Sequence, residues 1–316
     1  MALTIGFDIG GTKLAAGVVD DDGEILQLVR RGTPSSDPDQ IEDRIAEIVE
    51  ELRSDHDVSA VGIGAAGFID VDSAVVLFAP NLAWRDEPLR DEVAKRVGLP
   101  VVVENDANAA AWAELRFGAA RGVTDLAMVT IGTGIGAGIV IKGELFRGTF
   151  GVAAEMGHMQ VVPDGRECGC GQRGCWEQYG SGRALVREAR DLAAADPARA
   201  AHLLGLGDGT PAGITGPHVT DAAVAGDPAA VEALARVGHW IGIGLSNVAV
   251  TLDPGTFVIG GGVCAAGDLL LGPTRKAFEA RLPGAAYRPI ADLRLAQLGN
   301  EAGLVGAADL ARLYDP

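Results

Sequence analysis

The sequence is short of several things, and each shortage argues against a class of protein. Basic residues are in deficit: 26 Lys and Arg stand against 43 Asp and Glu, a net charge of −17 with no basic stretch. A cationic face for nucleic acid is therefore disfavoured. No apolar run approaches the roughly 20 residues that span a bilayer, so no membrane segment is expected. The first residues, MALTIGFDIGGTK, contain no charged segment followed by an apolar stretch and cleavage site. A cytoplasmic location is expected. With only four cysteines and no sign of export, a disulfide framework is also disfavoured. Aromatic residues make up 5% of the chain, whereas 45 of the 316 residues are glycine. That balance suits an α/β protein with many strand-to-helix turns, long enough for two domains and a substantial core.

What is present concentrates in Gly151–Gly182, GVAAEMGHMQVVPDGRECGCGQRGCWEQYGSG. Cys168, Cys170 and Cys175 fall within eight residues, and His158 lies ten positions before the first of them. Thiolate and imidazole are the usual zinc ligands, and three Cys plus one His complete a tetrahedral structural site. Gly169, Gly171 and Gly174 permit the tight turns that bring such closely spaced ligands onto one ion. Buried free thiols and disulfides are the alternatives. The close spacing and the odd number of cysteines both favour structural Zn²⁺. Glu155 and Glu177 are interleaved with the ligands, so folding on a metal would fix two carboxylates relative to each other.

Along the chain, Leu3–Asp8, Leu14–Val19 and Ile25–Arg31 read as three consecutive antiparallel strands. Gly10-Gly11-Thr12-Lys13 makes the first hairpin turn. Asp37 as N-cap and Pro38 at the first helical position open an amphipathic helix, with Ile41, Ile45, Ile48, Val49 and Leu52 on one face. A strand at Ala60–Gly64, a helix at Leu89–Val97 and a strand at Val101–Glu104 complete a βββαβαβ order. The pattern recurs at Leu126–Ile131 and Ile135–Ile141 around the turn Gly132-Thr133-Gly134. IGFDIGGTKLAAGVV and LAMVTIGTGIGAGIV match in hydrophobicity and in a Gly/Thr tip. This is duplication at domain scale, and it predicts two similar α/β domains with a nucleotide held between them. Helices are expected at Arg183–Ala195 and Pro228–Thr251, a Gly/Pro-rich loop at Leu203–Pro217, a strand at Thr256–Ile259 and a last helix at Gly303–Tyr314. Residues 1–108 with 301–316 form the expected small domain, and 109–300 the large one carrying the loop 151–182. The hinges are expected near Asp106–Ala110 and Asn300.

Four stretches point to chemistry. Gly10, Gly11 and Thr12 would offer backbone N–H groups and a hydroxyl to phosphate oxygens, with Lys13 offsetting charge and Asp8 placed to hold Mg²⁺ through water. An ordinary glycine hairpin is the alternative, but Gly132, Thr133 and Gly134 at the matching point of the repeat favour phosphate binding. Gly260-Gly261-Gly262 follows a strand and would let a flat base lie against backbone. Gly62-x-Gly64-x-x-Gly67 matches a dinucleotide fingerprint formally, yet Phe68–Asp72 reads as a further turn rather than the helix that fingerprint needs. Finally, Val101–Glu104 delivers Asn105 and Asp106 to a strand's C-terminal end, where α/β sites sit. Asp106 could be a simple N-cap. Capping leaves the adjacent Asn105 unexplained, and Asp106 is the catalytic candidate.

E-x-G-H followed by C-x-C-G-x-x-G-C-x-E resembles the signature of the ROK family of repressors, open-reading-frame proteins and sugar kinases, and the surrounding wording is similar to its actinobacterial ATP-dependent glucokinases. The resemblance implies an actin-like ATPase fold, as in hexokinase, Hsp70 and actin, with two similar domains and an interdomain cleft. It implies phosphorylation of the 6-hydroxyl of glucose by ATP with Mg²⁺, and Asp106 as general base. The implied sugar contacts are Gly67, Asn81, Asn105, Asp106, Glu155, His158 and Glu177. Zinc would lie on His158, Cys168, Cys170 and Cys175, and adenosine against Gly260–Gly262. A homodimer or homotetramer is also implied. The rival within the family is an N-acylmannosamine kinase. The rivals of another class are a sugar-responsive regulator, for which the first strand at Leu3 leaves no room for a preceding helix-turn-helix, and a non-catalytic sugar-binding protein, which leaves Asp106 and both hairpins unexplained.

Overall fold

A computed structural model describes residues 3–314. In chain order the first elements are β1 (Leu3–Ile9), β2 (Lys13–Val19), β3 (Ile25–Gly32), α1 (Pro38–Arg53), β4 (Val58–Ala65), β5 (Phe68–Ile69), β6 (Val76–Phe78), β7 (Arg85–Glu87), α2 (Leu89–Val97), β8 (Val101–Asn105) and α3 (Asp106–Arg116). There follow β9 (Leu126–Ile131), β10 (Ile135–Ile141), β11 (Glu144–Leu145), α4 (Glu177–Gly180), α5 (Gly182–Ala195), α6 (Ala201–Leu206), α7 (Gly216–Val224), α8 (Pro228–Leu252), β12 (Thr256–Gly260), α9 (Asp268–Arg281), β13 (Asp292–Leu295) and α10 (Ala302–Leu313). The chain divides into two compact units. Unit 1 is Met1–Met128, Gly138–Ala154 and Ala296–Pro316, and unit 2 is Val129–Ala137 and Glu155–Leu295.

In unit 1 a five-stranded sheet has the order β3-β2-β1-β4-β8, antiparallel from β1 to β3 and parallel from β1 to β4 to β8. The period-2 alternation of strands sorts its residues. Ile5, Phe7, Ile9, Val61, Ile63 and Val103 point into a core with Ile41, Ile45, Ile48 and Leu52 of α1 and Val93 of α2. Pro38 opens α1, and the Asp37 side chain accepts from the Asp39 N–H, as the sequence predicts. On the other face Gly62 lies against the α10 backbone, where a side chain would overlap the Ala307 carbonyl. This close approach accounts for a glycine in the formal dinucleotide fingerprint without any nucleotide.

A second five-stranded sheet runs β11-β10-β9-β12-β13. Within unit 2 the 25-residue α8 is capped by Asp227, whose carboxylate accepts from the Ala229 and Ala230 N–H groups. Its small residues let α9 pack closely, and Phe278 of α9 meets Phe257 of β12 edge-on at 5.6 Å.

Several expectations are corrected. Phe68–Asp72 is not simply a turn: β5 leads into one closed by Asp70, whose Oδ1 accepts from the Ala74 and Val75 N–H groups, and β5-β6-β7 form a small sheet. The expected loop Leu203–Pro217 contains α6 and the start of α7, where the Thr215 N–H donates to His218 Nδ1 at 3.4 Å. The sequence reading missed α9 and β13, and α9 runs through Pro273. Residues 109–128 belong with unit 1 rather than with the expected large domain, because α3 lies against α10: Gly306 sits so close to the Ala109 carbonyl that a side chain there would overlap it.

Candidate active site and metal cluster

In unit 1 the end of β1 and the start of α3 bring carboxylates together. Asn105, not Asp106, is the N-cap of α3: its Oδ1 accepts from the N–H groups of Ala107 (2.9 Å) and Asn108 (3.1 Å). Its Nδ2 donates to the Gly67 carbonyl at 3.1 Å, tying the expected sugar loop to the helix start. Asp106 is the first helical residue, and its Oδ1 accepts from the Ala107 N–H at 2.9 Å. Burial pushes the Asp106 carboxyl above the usual range, partly offset by backbone N–H groups. Asp8 is pushed up to about 7, first by burial and then by the charges of Asp106 and Glu301. Two carboxyls that resist ionising together are suited to a proton acceptor and to a cation.

The first expected phosphate turn is closed by the Gly10 N–H donating to the Lys13 carbonyl at 3.0 Å, with Thr12 and Lys13 exposed. Gly11 lies against Asn81, in contact too close for any side chain at position 11. Asp8, the turn, Asn81, Gly67, Asn105 and Asp106 thus all belong to unit 1.

Glu104 is the residue that sequence reasoning missed. It is buried at the end of β8; its Oε1 accepts from the Asn105 N–H and from Asn108 Nδ2, both at 3.0 Å, and its Oε2 pairs with Arg147 at 2.7 Å. A glutamate ending the apolar run Val101–Val103 was the available signal, since a buried charge requires partners.

In unit 2 a cavity of about 770 Å³ is lined by Ile131, Gly132, Thr133, Arg183, Gly262 and Val263, among others. Two residues of the second expected phosphate turn, Gly132 and Thr133, and the last glycine of the triplet, Gly262, therefore meet at one cavity, large enough for a nucleotide. The turn is closed by the Gly132 N–H donating to the Gly134 carbonyl at 3.1 Å, and the Gly182 N–H at the head of α5 donates to the Gly132 carbonyl at 2.8 Å. Gly261 has φ +90°, a backbone conformation that demands glycine, and packs on the Ile131 backbone.

The cysteine loop also lies in unit 2. One ligand atom each from His158, Cys168, Cys170 and Cys175 fall within 4.8 Å of one another, a group that could hold a metal ion. Cys168 Sγ is 3.7 Å from His158 Nδ1, and Cys170 Sγ is 3.7 Å from Cys175 Sγ. Backbone turns create the cluster: the Cys168 N–H donates to the Gln172 carbonyl at 2.9 Å and the Gly171 N–H to the Cys168 carbonyl at 3.0 Å. Two aromatics anchor the loop. Trp176 is fully buried and donates from Nε1 to the Trp240 carbonyl at 2.8 Å; the Tyr179 hydroxyl accepts from the Arg166 N–H at 2.8 Å while its ring lies 4.8 Å from Trp240. Glu177 Oε1 is 3.0 Å from Cys168 Sγ, and His158 Nε2 is 4.0 Å from Glu155 Oε2. The expected acidic sugar readers of this unit thus flank the cluster.

Residues 4–313 match the model of the ROK family. The chain is 56% identical to the glucokinase of Streptomyces coelicolor over 316 residues, covering 100% of this chain and 99% of that one. It resembles the crystal structure of a ROK family glucokinase from Streptomyces griseus in complex with glucose and AMPPNP, with a TM-score of 0.91 and 57% identity over 99% of this chain and 100% of that one. The ROK hexokinase of Thermus thermophilus is 35% identical with a TM-score of 0.78, covering 98% of each chain. From sheet order to cysteine cluster the molecule has the actin-like ATPase fold of these sugar kinases, and the chain belongs to the ROK family.

Proposed function

We propose that the protein transfers the γ-phosphoryl group of MgATP to the 6-hydroxyl of glucose, giving glucose 6-phosphate and ADP. The full-length likeness to proteins named glucokinase supports the reaction and its substrates. The observation that carries the assignment of roles is Asp106, a half-buried carboxyl at the C-terminal end of β8, next to the parallel strand β4, pushed above its usual range by desolvation. In this reading Asp106 accepts the proton of the attacking hydroxyl. Phosphoryl transfer is loose, so positioning and charge neutralisation dominate and the base contributes less.

The chain's own groups divide the remaining work. Gly132, Thr133 and Gly134 offer N–H groups and a hydroxyl to phosphates, and Gly260–Gly262 form the wall for adenosine. Gly10, Gly11, Thr12 and Lys13 take the transferred phosphoryl group, with Asp8 as the carboxylate for Mg²⁺. Asn105 retains one amide hydrogen beyond its bond to Gly67, which suits a sugar hydroxyl. Gly67, Asn81, Glu155, His158 and Glu177 supply the other sugar contacts. Fixed acceptors of this kind reject an epimer that leaves them unpaired.

The cysteine cluster fits zinc. A tetrahedral ion with Zn–S of about 2.3 Å and Zn–N of about 2.05 Å has S···S and S···N edges near ~3.7 and ~3.6 Å, and both measured separations are 3.7 Å. When bound, zinc would supply cross-linking of the loop and no chemistry at the reacting atoms. His158 would use Nδ1 for the ion and leave Nε2 for a sugar hydroxyl. Among the described residues no helix is long and apolar enough to cross a membrane. The same reading takes the protein as a cytoplasmic homodimer or homotetramer, and its net charge of −17 disfavours nucleic-acid partners.

The test is ADP release with MgATP over glucose, N-acetylmannosamine, mannose, fructose and allose. Turnover chiefly on glucose is expected. Turnover chiefly on N-acetylmannosamine would overturn the specificity, and silence on all five by folded, metal-loaded protein would overturn the reaction.

A further inference from the structure

Gly134 stands in the nucleotide turn, yet the atoms that press on it do not belong to the nucleotide cavity. Among the described residues, and apart from its chain neighbours, the only heavy atoms within 4 Å of the position a Cβ would take are Oε2 and Cδ of Glu177, and a methyl group there would overlap Oε2. Gly134 does not adopt the left-handed backbone that would itself demand glycine. The space is therefore reserved for the Glu177 carboxylate. The other oxygen of that carboxylate, Oε1, accepts from Gln178 Nε2 at 3.3 Å. Gly132, two residues earlier in the same turn, is different. Among the described residues nothing beyond its chain neighbours lies within 4 Å of its Cβ position, and its backbone is not left-handed either.

We propose that Gly134 is a positioning residue for sugar recognition: its missing side chain lets the Glu177 carboxylate rest on the phosphate turn. The sugar reader and the nucleotide turn then share one contact, and the ligand specificity of Glu177 is set partly by a residue of the turn. This rests on the reading of Glu177 as a sugar contact. The carboxylate is the far end of a flexible side chain, so a methyl group at position 134 would displace it without unfolding the protein, and sugar affinity is where the substitution acts.

The experiment measures glucose affinity without nucleotide, by calorimetry on full-length metal-loaded protein, for Gly134→Ala, Gly132→Ala, Glu177→Ala and the double variant Gly134→Ala/Glu177→Ala. Melting temperature and metal content are checked for each. Gly134→Ala should weaken glucose binding about tenfold or more, and Gly132→Ala should leave it unchanged. The double variant should bind glucose as weakly as Glu177→Ala alone, because a side chain already removed cannot be displaced. Wild-type glucose affinity in Gly134→Ala, or losses that simply add in the double variant, would overturn the proposal while the sugar role of Glu177 stands. Unchanged glucose affinity in Glu177→Ala would overturn that role and the proposal with it. If Gly134→Ala melts early, Glu177→Gln takes its place. It keeps the volume over Gly134 and should weaken glucose binding less than Glu177→Ala does; an equal loss would overturn the proposal.

Discussion

The two glycine hairpins come from matching stretches of sequence and have been put to different uses. Around Gly10–Lys13 the turn spans four residues and ends on a cation, with Asp8 on the preceding strand facing the charge of Asp106. Around Gly132–Gly134 the turn spans three residues, Thr130 stands where the first copy has Asp8, and the turn lines a cavity of about 770 Å³. One copy gathers carboxyls that resist ionisation and the other gathers backbone and apolar wall. In the proposed reading the repeat supplies the scaffold, and the residue beside each turn divides chemistry from nucleotide binding.

The contrast is broken most severely at Asp106. Asp106→Asn should fold and bind glucose yet lose about 10²–10⁴-fold in kcat, measured by ADP release. The acidic half should also be the half that costs stability. The Asp8 carboxyl is raised from its ordinary 3.8 to about 7. Between those values the folded state holds the proton more tightly than the unfolded state. Its contribution is therefore most favourable at low pH and declines as pH rises through this window, the reverse of a salt-bridged aspartate. Asp8→Asn should accordingly stabilise the protein at pH 8, by at most about 4 kcal/mol, with the gain vanishing near pH 4 in urea melts. An equal gain at both pH values would remove the electrostatic part of the contrast.

On the other half, Cys170→Ser should release metal, lower the melting temperature and weaken glucose binding by about 10–100-fold. A folded variant with unchanged glucose affinity would detach the cluster from sugar recognition. The smallest effect is expected at the tip of the first turn, where Lys13 is exposed. Lys13→Ala should raise the KM for ATP about tenfold or less, by steady-state kinetics, with glucose affinity untouched.

Much of this was legible in the sequence because it repeats or is dense in unusual residues. The face of α1, the two hairpins and the cysteine cluster each rest on several residues agreeing with one another. What escaped rests on single residues or very short runs. The strands β5, β6 and β7 have two or three residues each, too few for an alternation to register. Asn105 and Asp106 can both cap a helix, and only the backbone decides that the first caps α3 and leaves the second as the first helical residue. A proline removes one helical hydrogen bond, yet α9 continues through Pro273, packed on α8. Glu104 looks like the polar end of a strand until its three partners, Asn105, Asn108 and Arg147, surround it. The contact of Glu177 with Gly134 joins positions 43 apart and has no sequence signal at all.

The most direct test of Asp106 as the base is a crystal structure with glucose and AMPPNP bound. The Asp106 carboxylate should lie about 2.6–3.2 Å from the glucose 6-hydroxyl, on the side away from the nucleotide. A 6-hydroxyl hydrogen-bonded to another group, with Asp106 engaged only by the α3 backbone, would contradict that role and return Asp106 to the structure of the helix start.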